Sequence, residues 1–209
     1  VQVMRDGTVV TDGYEVTEWT VDEKNDKASC KYTFKEDGDY ELHVTYSDYS
    51  KKDMNYSSNE YKQKKGSLDY TSNIFTIDTV QPEIVSAEYD NNEVNNGKYY
   101  NENRTVTFKV KDRNFRPSEV AFKAETSNVQ NSKLANEYSE LNEWTDWKQD
   151  ENDPYIWIAT VPYTLDASYH IELAYTDLAG HELKDNFEDD FVIDKKAPET
   201  DKMSITYSK

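Results

Sequence analysis

Asp37-Gly38-Asp39-Tyr40-Glu41-Leu42-His43-Val44-Thr45-Tyr46-Ser47-Asp48 recurs, 129 residues on, as Asp166-Ala167-Ser168-Tyr169-His170-Ile171-Glu172-Leu173-Ala174-Tyr175-Thr176-Asp177. In the first copy Tyr40, Leu42, Val44 and Tyr46 alternate with Glu41, His43 and Thr45. In the second Tyr169, Ile171, Leu173 and Tyr175 alternate with His170, Glu172 and Thr176. A period of two sends successive side chains to opposite faces, so each copy predicts a strand with one buried and one wet face. Outward from this pair, residues 75–83 recur as 191–199 at an offset of 116, and Glu18-Trp19-Thr20 recurs as Glu143-Trp144-Thr145. Matching blocks in a fixed order are the mark of an array, and the chain reads as two modules.

β-branched and aromatic residues predict further strands over 84–89, 105–110, 119–124, 156–161 and 191–193. About seven short strands per hundred residues imply an antiparallel sandwich. The single helix expected lies over 133–142, with Leu134, Tyr138 and Leu141 on one face and Ser132 as its cap. Pro82 and Pro198 each follow a strand ending in Asp, and proline suits a linker or an edge. Boundaries are therefore placed at 79–81 and 195–197, and proline's restriction of the preceding residue predicts a short, stiff linker. Residues 81–197 form a complete module. Residues 1–80 form one lacking its opening strands, because Val1-Gln2-Val3-Met4 aligns with Val120-Ala121-Phe122-Lys123. Such a module exposes unpaired edges and is expected to be unstable until something supplies the missing strands. Residues 198–209 read as the opening strand of a further module or a tail.

Composition narrows the function. Against 42 acidic residues stand 24 basic ones, a net charge of −18, which disfavours nucleic acid and anionic membranes as partners. Mean hydropathy is −1.01, but an aromatic content of 13% supplies core anchors and argues against disorder. No run of apolar residues is long enough for a transmembrane helix, and no signal peptide is expected within the chain. Cys30 is alone, so neither a disulfide framework nor a cysteine zinc site is expected. His43, His170 and His181 are scattered and read as surface residues. Trp19, Trp144, Trp147 and Trp157 read as core or rim packing in preference to a sugar platform. Asp48 and Asp177 read as turn-amide acceptors, and Tyr40 and Tyr169 as tyrosine corners bonded to upstream backbone.

Asp177-Leu178-Ala179-Gly180-His181, Phe191-Val192-Ile193-Asp194 with Ala197-Pro198, and Lys111-Asp112-Arg113-Asn114-Phe115 resemble the turn, final strand with linker, and asparagine-phenylalanine element of tandem bacterial Ig-like modules from Gram-positive gut-anaerobe surface proteins. The resemblance covers 82–199 well and 18–83 partly. Two departures stand out: His181 replaces the usual Asn, and residues 49–52 replace the Ala-Gly turn in the first module. The resemblance implies an all-β fold of tandem, antiparallel, Greek-key Ig-like sandwiches on the bacterial cell surface or in secreted form, with neighbouring modules as partners in the same chain. It also leaves open Lys–Asn isopeptide crosslinks, visible as ammonia loss in the intact mass. Surface arrays of this kind include superantigens that bind antibody variable domains, which makes immunoglobulin the narrowest partner expected.

No GxSxG, HExxH, phosphate-loop or dinucleotide pattern occurs. Among 42 carboxylates pairs arise by chance, so no glycosidase dyad is named. The stretch 185–190 reads as a solvated acidic loop in preference to a calcium chelate. The expectation is a protein without catalysis, cofactor or metal, and without membrane insertion. Three functions remain: recognition of a host protein, a spacer, and an accessory carbohydrate-binding module, in that order. The binding site is expected on the segment 49–73, since the first module carries 13 more residues than the second between its last two strands. This segment holds five lysines against three acids in an otherwise acidic chain. Its candidates are Tyr49, Met54, Tyr56, Tyr61, Lys62, Lys64, Lys65 and Tyr70, tyrosine giving broad contact area at small entropy cost. Ser58 and Gly66 are placed to bound a short helix within it.

Overall fold

The computed structural model describes residues 1–25, 27–47, 51–52, 69–127, 146–198 and 204–207. These residues are all-β apart from one 3-10 turn, Pro117–Glu119. The expected helix at 133–142 and its cap Ser132 lie outside the described residues. The chain divides into two units, Val1–Val80 and Gln81–Lys209.

The first unit contains β1 (Gln2–Arg5), β2 (Thr8–Val10), β3 (Tyr14–Val16), β4 (Thr20–Asp22), β5 (Lys27–Ser29), β6 (Tyr32–Phe34), β7 (Gly38–Thr45), β8 (Asp69–Thr71) and β9 (Phe75–Ile77). The alternating strand β7 lies between β1 on one side and β8 and β9 on the other. Asp6 and Gly7 turn β1 into β2 with φ of 52° and 75°, the left-handed pair that an Asp-Gly hairpin of type I′ demands. β3 pairs with β6 and β4 with β5. The Thr17 amide donates to the Lys31 carbonyl at 3.0 Å, joining the two pieces into one ribbon. Val3 and Tyr40 are buried, while Phe34, Leu42, Val44 and Phe75 are only half-buried.

The second unit contains β10 (Glu83–Tyr89), β11 (Tyr99–Tyr100), β12 (Arg104–Lys111), β13 (Val120–Ser127), β14 (Lys148–Gln149), β15 (Ile156–Tyr163), β16 (Ala167–Tyr175) and β17 (Phe187–Ile193). One sheet runs β10-β12-β15-β14 and the other β11-β17-β16-β13. All pairings are antiparallel except β11 with β17. The two inner faces share one core, to which Val106, Phe108 and Val110 come from the first sheet and Ile171, Leu173, Phe191 and Ile193 from the second. Burial alternates strictly along β12 and β16, as one buried face per sheet requires.

The sequence repeat has a contact-level counterpart. Gly38 faces Ile77 and Tyr40 faces Phe75; their counterparts Ala167 and Tyr169 face Ile193 and Phe191. Phe34, Tyr40 and Phe75 form a ring triad with centroid separations of 4.5, 5.1 and 5.8 Å. Tyr163, Tyr169 and Phe191 form the same triad at 5.0 to 5.1 Å. The Tyr40 hydroxyl donates to the Glu36 carbonyl at 2.8 Å, and the Tyr169 hydroxyl to the Leu165 carbonyl at 3.1 Å. Each unit also closes alike: the Thr79 amide donates to Asp37 at 3.1 Å and the Lys195 amide to Asp166 at 3.3 Å.

Three sequence readings need correction. Val3 faces Leu42, whereas Ala124 faces Ile171, the counterpart of Leu42; β1 therefore matches β13 two residues away from the expected alignment. A shift of two leaves the alternation unchanged, so pattern alone cannot detect it. Residues 185–190 are not an acidic loop throughout, because β17 begins at Phe187 and places Asp189 on the side of Phe187 and Phe191. The segment 49–73 is not one loop either, since β8 occupies Asp69–Thr71.

Candidate functional site

Of the residues expected to bind, Tyr49, Met54, Tyr56, Tyr61, Lys62, Lys64 and Lys65 lie outside the described residues, as do Ser58, Gly66, Asp48 and Trp144. Tyr70 is described and sits on β8 opposite Val44, half-buried, as a sheet residue.

The tryptophans separate. Trp147 and Trp157 pack on Phe115 at centroid distances of 4.8 and 5.3 Å, and Tyr175 closes the cluster at 4.9 Å. The Tyr175 hydroxyl donates to buried Asp112 at 2.8 Å and accepts from the Arg116 amide at 3.0 Å. Burial and the Asp112 carboxylate push the Tyr175 phenol upward. The asparagine-phenylalanine element is thus a packing device. Trp19 behaves differently: it is 59% exposed beside β4, where Val21 is 71% exposed. The expectation of a packed Trp19 fails because every residue of β4 and β5 is exposed, and no described sheet covers that ribbon.

Arg104 is the one buried cation among the described residues, at 4% exposure. Its guanidinium carbon lies 3.5 Å from the Tyr89 ring centroid, 3.8 Å from Tyr100 and 4.6 Å from Phe191. Its Nε–H donates to the Asn91 carbonyl at 3.0 Å, and Asp189 stands 3.7 Å from its other end. The Tyr89 hydroxyl donates to the same Asp189 at 2.7 Å, and burial pushes that phenol upward. A charge this deep persists because it is paired and stacked. The one trace of this cluster in the sequence is Arg104 standing at an inward position of the series Arg104, Val106, Phe108, Val110.

The histidines lie at the surface, partly covered, and His170 and His181 are hydrogen-bonded to carboxylates. Asp177 accepts the His181 amide at 2.8 Å and meets its Nδ1 at 2.9 Å, which is the turn-amide role expected of it. His43 Nε2 lies 3.4 Å from Glu41. On the outer face of the β13-β16-β17 sheet, His170 contacts Glu172 at 2.9 Å and Asp190 at 3.0 Å. These two carboxylates raise the imidazole above its ordinary value. His170, Glu188 and Asp190 place one ligand atom each within 4.8 Å of one another, but both imidazole nitrogens are already engaged by carboxylates.

These arrangements provide stacking, ion pairing and turn closure. No family model, curated protein or solved structure matches this chain.

Proposed function

We propose that the chain is a non-catalytic, extracellular binding protein of a bacterial surface array, built from Ig-like modules, whose target is a host protein. The observation that carries this reading is the exposed β4–β5 ribbon with Trp19 and Val21. Monomeric proteins seldom expose large apolar side chains in clusters without a partner, and tryptophan is enriched among interface anchors. The tyrosine- and lysine-rich segment 49–73 is the second recognition surface in this reading.

The module type is supported by sheet composition. In the order of an Ig-like sandwich, β10-β12-β15-β14 corresponds to one sheet with strands A, B, E and D. The order β11-β17-β16-β13 corresponds to the other, with an A′ strand parallel to G. Tyr169 then takes the place of the tyrosine corner on strand F. The first unit keeps the counterparts of the later strands.

Capture of serum and mucosal proteins by the recombinant chain tests the proposal. A captured protein whose affinity falls by about 1–4 kcal/mol in Trp19→Ala with Val21→Ala, or in Tyr56→Ala with Tyr61→Ala, supports it. Recovery of immunoglobulin supports the narrowest form. Recovery of nothing favours a spacer, the reading for which the repeated brackets Asp37–Thr79 and Asp166–Lys195 speak, since they hold the chain alike where each unit ends.

A further inference from the structure

We propose that the outer face of the β13-β16-β17 sheet carries a site for a divalent transition-metal ion of the zinc class, held by His170 Nδ1, Asp190 and Glu188, with Glu172 orienting the imidazole.

Strand register assembles these groups. Along β16, His170 and Glu172 take successive outward positions between the buried Tyr169, Ile171 and Leu173. On β17 Asp190 faces His170 and Glu188 faces Glu172. On β13 Glu125 faces His170 and Lys123 faces Glu172. Four carboxylates thus surround one imidazole. Among the described residues no lysine or arginine forms an ion pair with Glu172, Glu188 or Asp190, since Lys123 is bound to Glu125 at 2.8 Å. Glu172 and Glu188 stand directly opposite one another, an arrangement of like charges that costs stability. A cation bound beside them relieves that cost.

The contacts of the imidazole separate this place from a patch of surface acids. His170 Nε2 lies 2.9 Å from Glu172, and Nδ1 lies 3.0 Å from Asp190. A neutral imidazole has a single N–H, so in either tautomer one nitrogen meets a carboxylate with lone pair against lone pair. A proton or a metal ion has to lie between them. On the Asp190 side a third ligand is at hand, because His170, Glu188 and Asp190 offer one atom each within 4.8 Å of one another.

The spacing suits zinc. Bonds of about 2.0–2.1 Å to nitrogen and oxygen put neighbouring ligands of one ion about 2.9–3.4 Å apart. The 3.0 Å between Nδ1 and Asp190 already has that value, and Glu188, which is exposed, closes on the ion by a rotation of its side chain. His170 and Asp190 are a cross-strand pair, so the sheet holds two of the three ligands in place before the ion arrives. Nε2–H then donates to Glu172, the second contact by which a carboxylate fixes the tautomer of a metal-bound histidine. An imidazole ligand disfavours calcium and magnesium, which take oxygen. The bound ion ties β16 to β17 and stabilises the second unit by mass action.

Calorimetric titration of the chelator-treated full chain with zinc chloride tests this. Saturable binding of one ion per chain is expected. His170→Gln and Asp190→Asn, both at outward positions, should abolish it, and His181→Gln should leave it intact. Glu172→Gln touches no ion and should weaken binding by about tenfold or more. Zinc should also raise the melting temperature of the second unit in the wild type and not in His170→Gln, while melts with chelator present establish that each variant folds. Absence of saturable binding in the wild type overturns the proposal. Binding of equal strength in His170→Gln, or calcium bound as tightly as zinc, overturns it too, because the face then acts only as a diffuse acidic surface.

Discussion

The two ring triads, Phe34/Tyr40/Phe75 and Tyr163/Tyr169/Phe191, share one arrangement, with centroid separations of 4.5 to 5.8 Å in the first and 5.0 to 5.1 Å in the second, and differ in what lies over them. In the second unit β10 and β12 extend the sheet of β15 and complete the cover of its triad. In the first unit the described residues contain no counterpart of those two strands, and two of the three rings stay half-buried. A shared contact pattern therefore does not carry a shared stability. Local strand pairs reproduce the geometry, and the energy depends on the apolar area that a second sheet removes from water.

The largest expected effect comes from truncating equivalent rings. Phe191→Ala should cost about 4 kcal/mol, in the range for a fully buried phenylalanine, whereas Phe75→Ala should cost about 1–2 kcal/mol because its ring is already partly hydrated. Denaturant unfolding followed by probes in each unit measures both. Equal costs would break the comparison.

Arg104 comes next, since the first unit offers it no equivalent. Arg104→Ala should destabilise the second unit by about 2–3 kcal/mol, because it removes the guanidinium stacked on Tyr89, Tyr100 and Phe191 and leaves the partly buried Asp189 without its cation. Arg104→Lys should recover only part, as an ammonium cannot lie flat on Tyr89 and Tyr100. The transition of the first unit should not move in either variant.

A smaller difference separates the tyrosine corners. The Tyr169 hydroxyl donates to the Leu165 carbonyl and accepts the Leu165 amide, each at 3.1 Å, whereas the Tyr40 hydroxyl donates to the Glu36 carbonyl and has as its second partner the Arg5 guanidinium, which other groups and water can also satisfy. Tyr169→Phe is expected to cost about 2 kcal/mol and Tyr40→Phe about 1 kcal/mol. Thermal melts of the single variants would sharpen the comparison, and a reversed order would contradict it.

The smallest effect is a pH dependence confined to the second unit. Glu172 and Asp190 favour protonated His170, with Glu125 across the strand adding to the same field, so the folded imidazole titrates above its ordinary value of 6.5. Its stabilising contribution is complete below that unfolded value and is lost as pH rises through the higher folded one. In His170→Gln the melting temperature of the second unit should lose this decline between neutral and mildly alkaline pH. A wild-type profile identical to the variant's would remove His170 from the account.

Residues alone disclosed much of the fold and little of the candidate site. Strands β7, β10, β12, β15 and β16 were legible because a buried face leaves a period of two in the residues that line it. The turn role of Asp177 and the corner role of Tyr169 were legible for the same local reason: their partners lie four residues away. Trp19 was misjudged because burial depends on what comes to lie above a residue, and composition does not say whether a second sheet arrives.

What sequence by itself determined, then, is the repeat, the alternation and the local closures at Tyr169 and Asp177, all set by interactions short in sequence or carried by a period. What only the tertiary structure decided is the register of β1, the inward placement of Arg104 against Asp189, and the contrast between a covered and a half-covered triad. Those depend on strands far apart in the chain, such as Tyr89 and Asp189, whose side chains meet across 100 residues. A period-two pattern is unchanged by a slip of two and is silent about distant partners, so long-range packing alone could settle them.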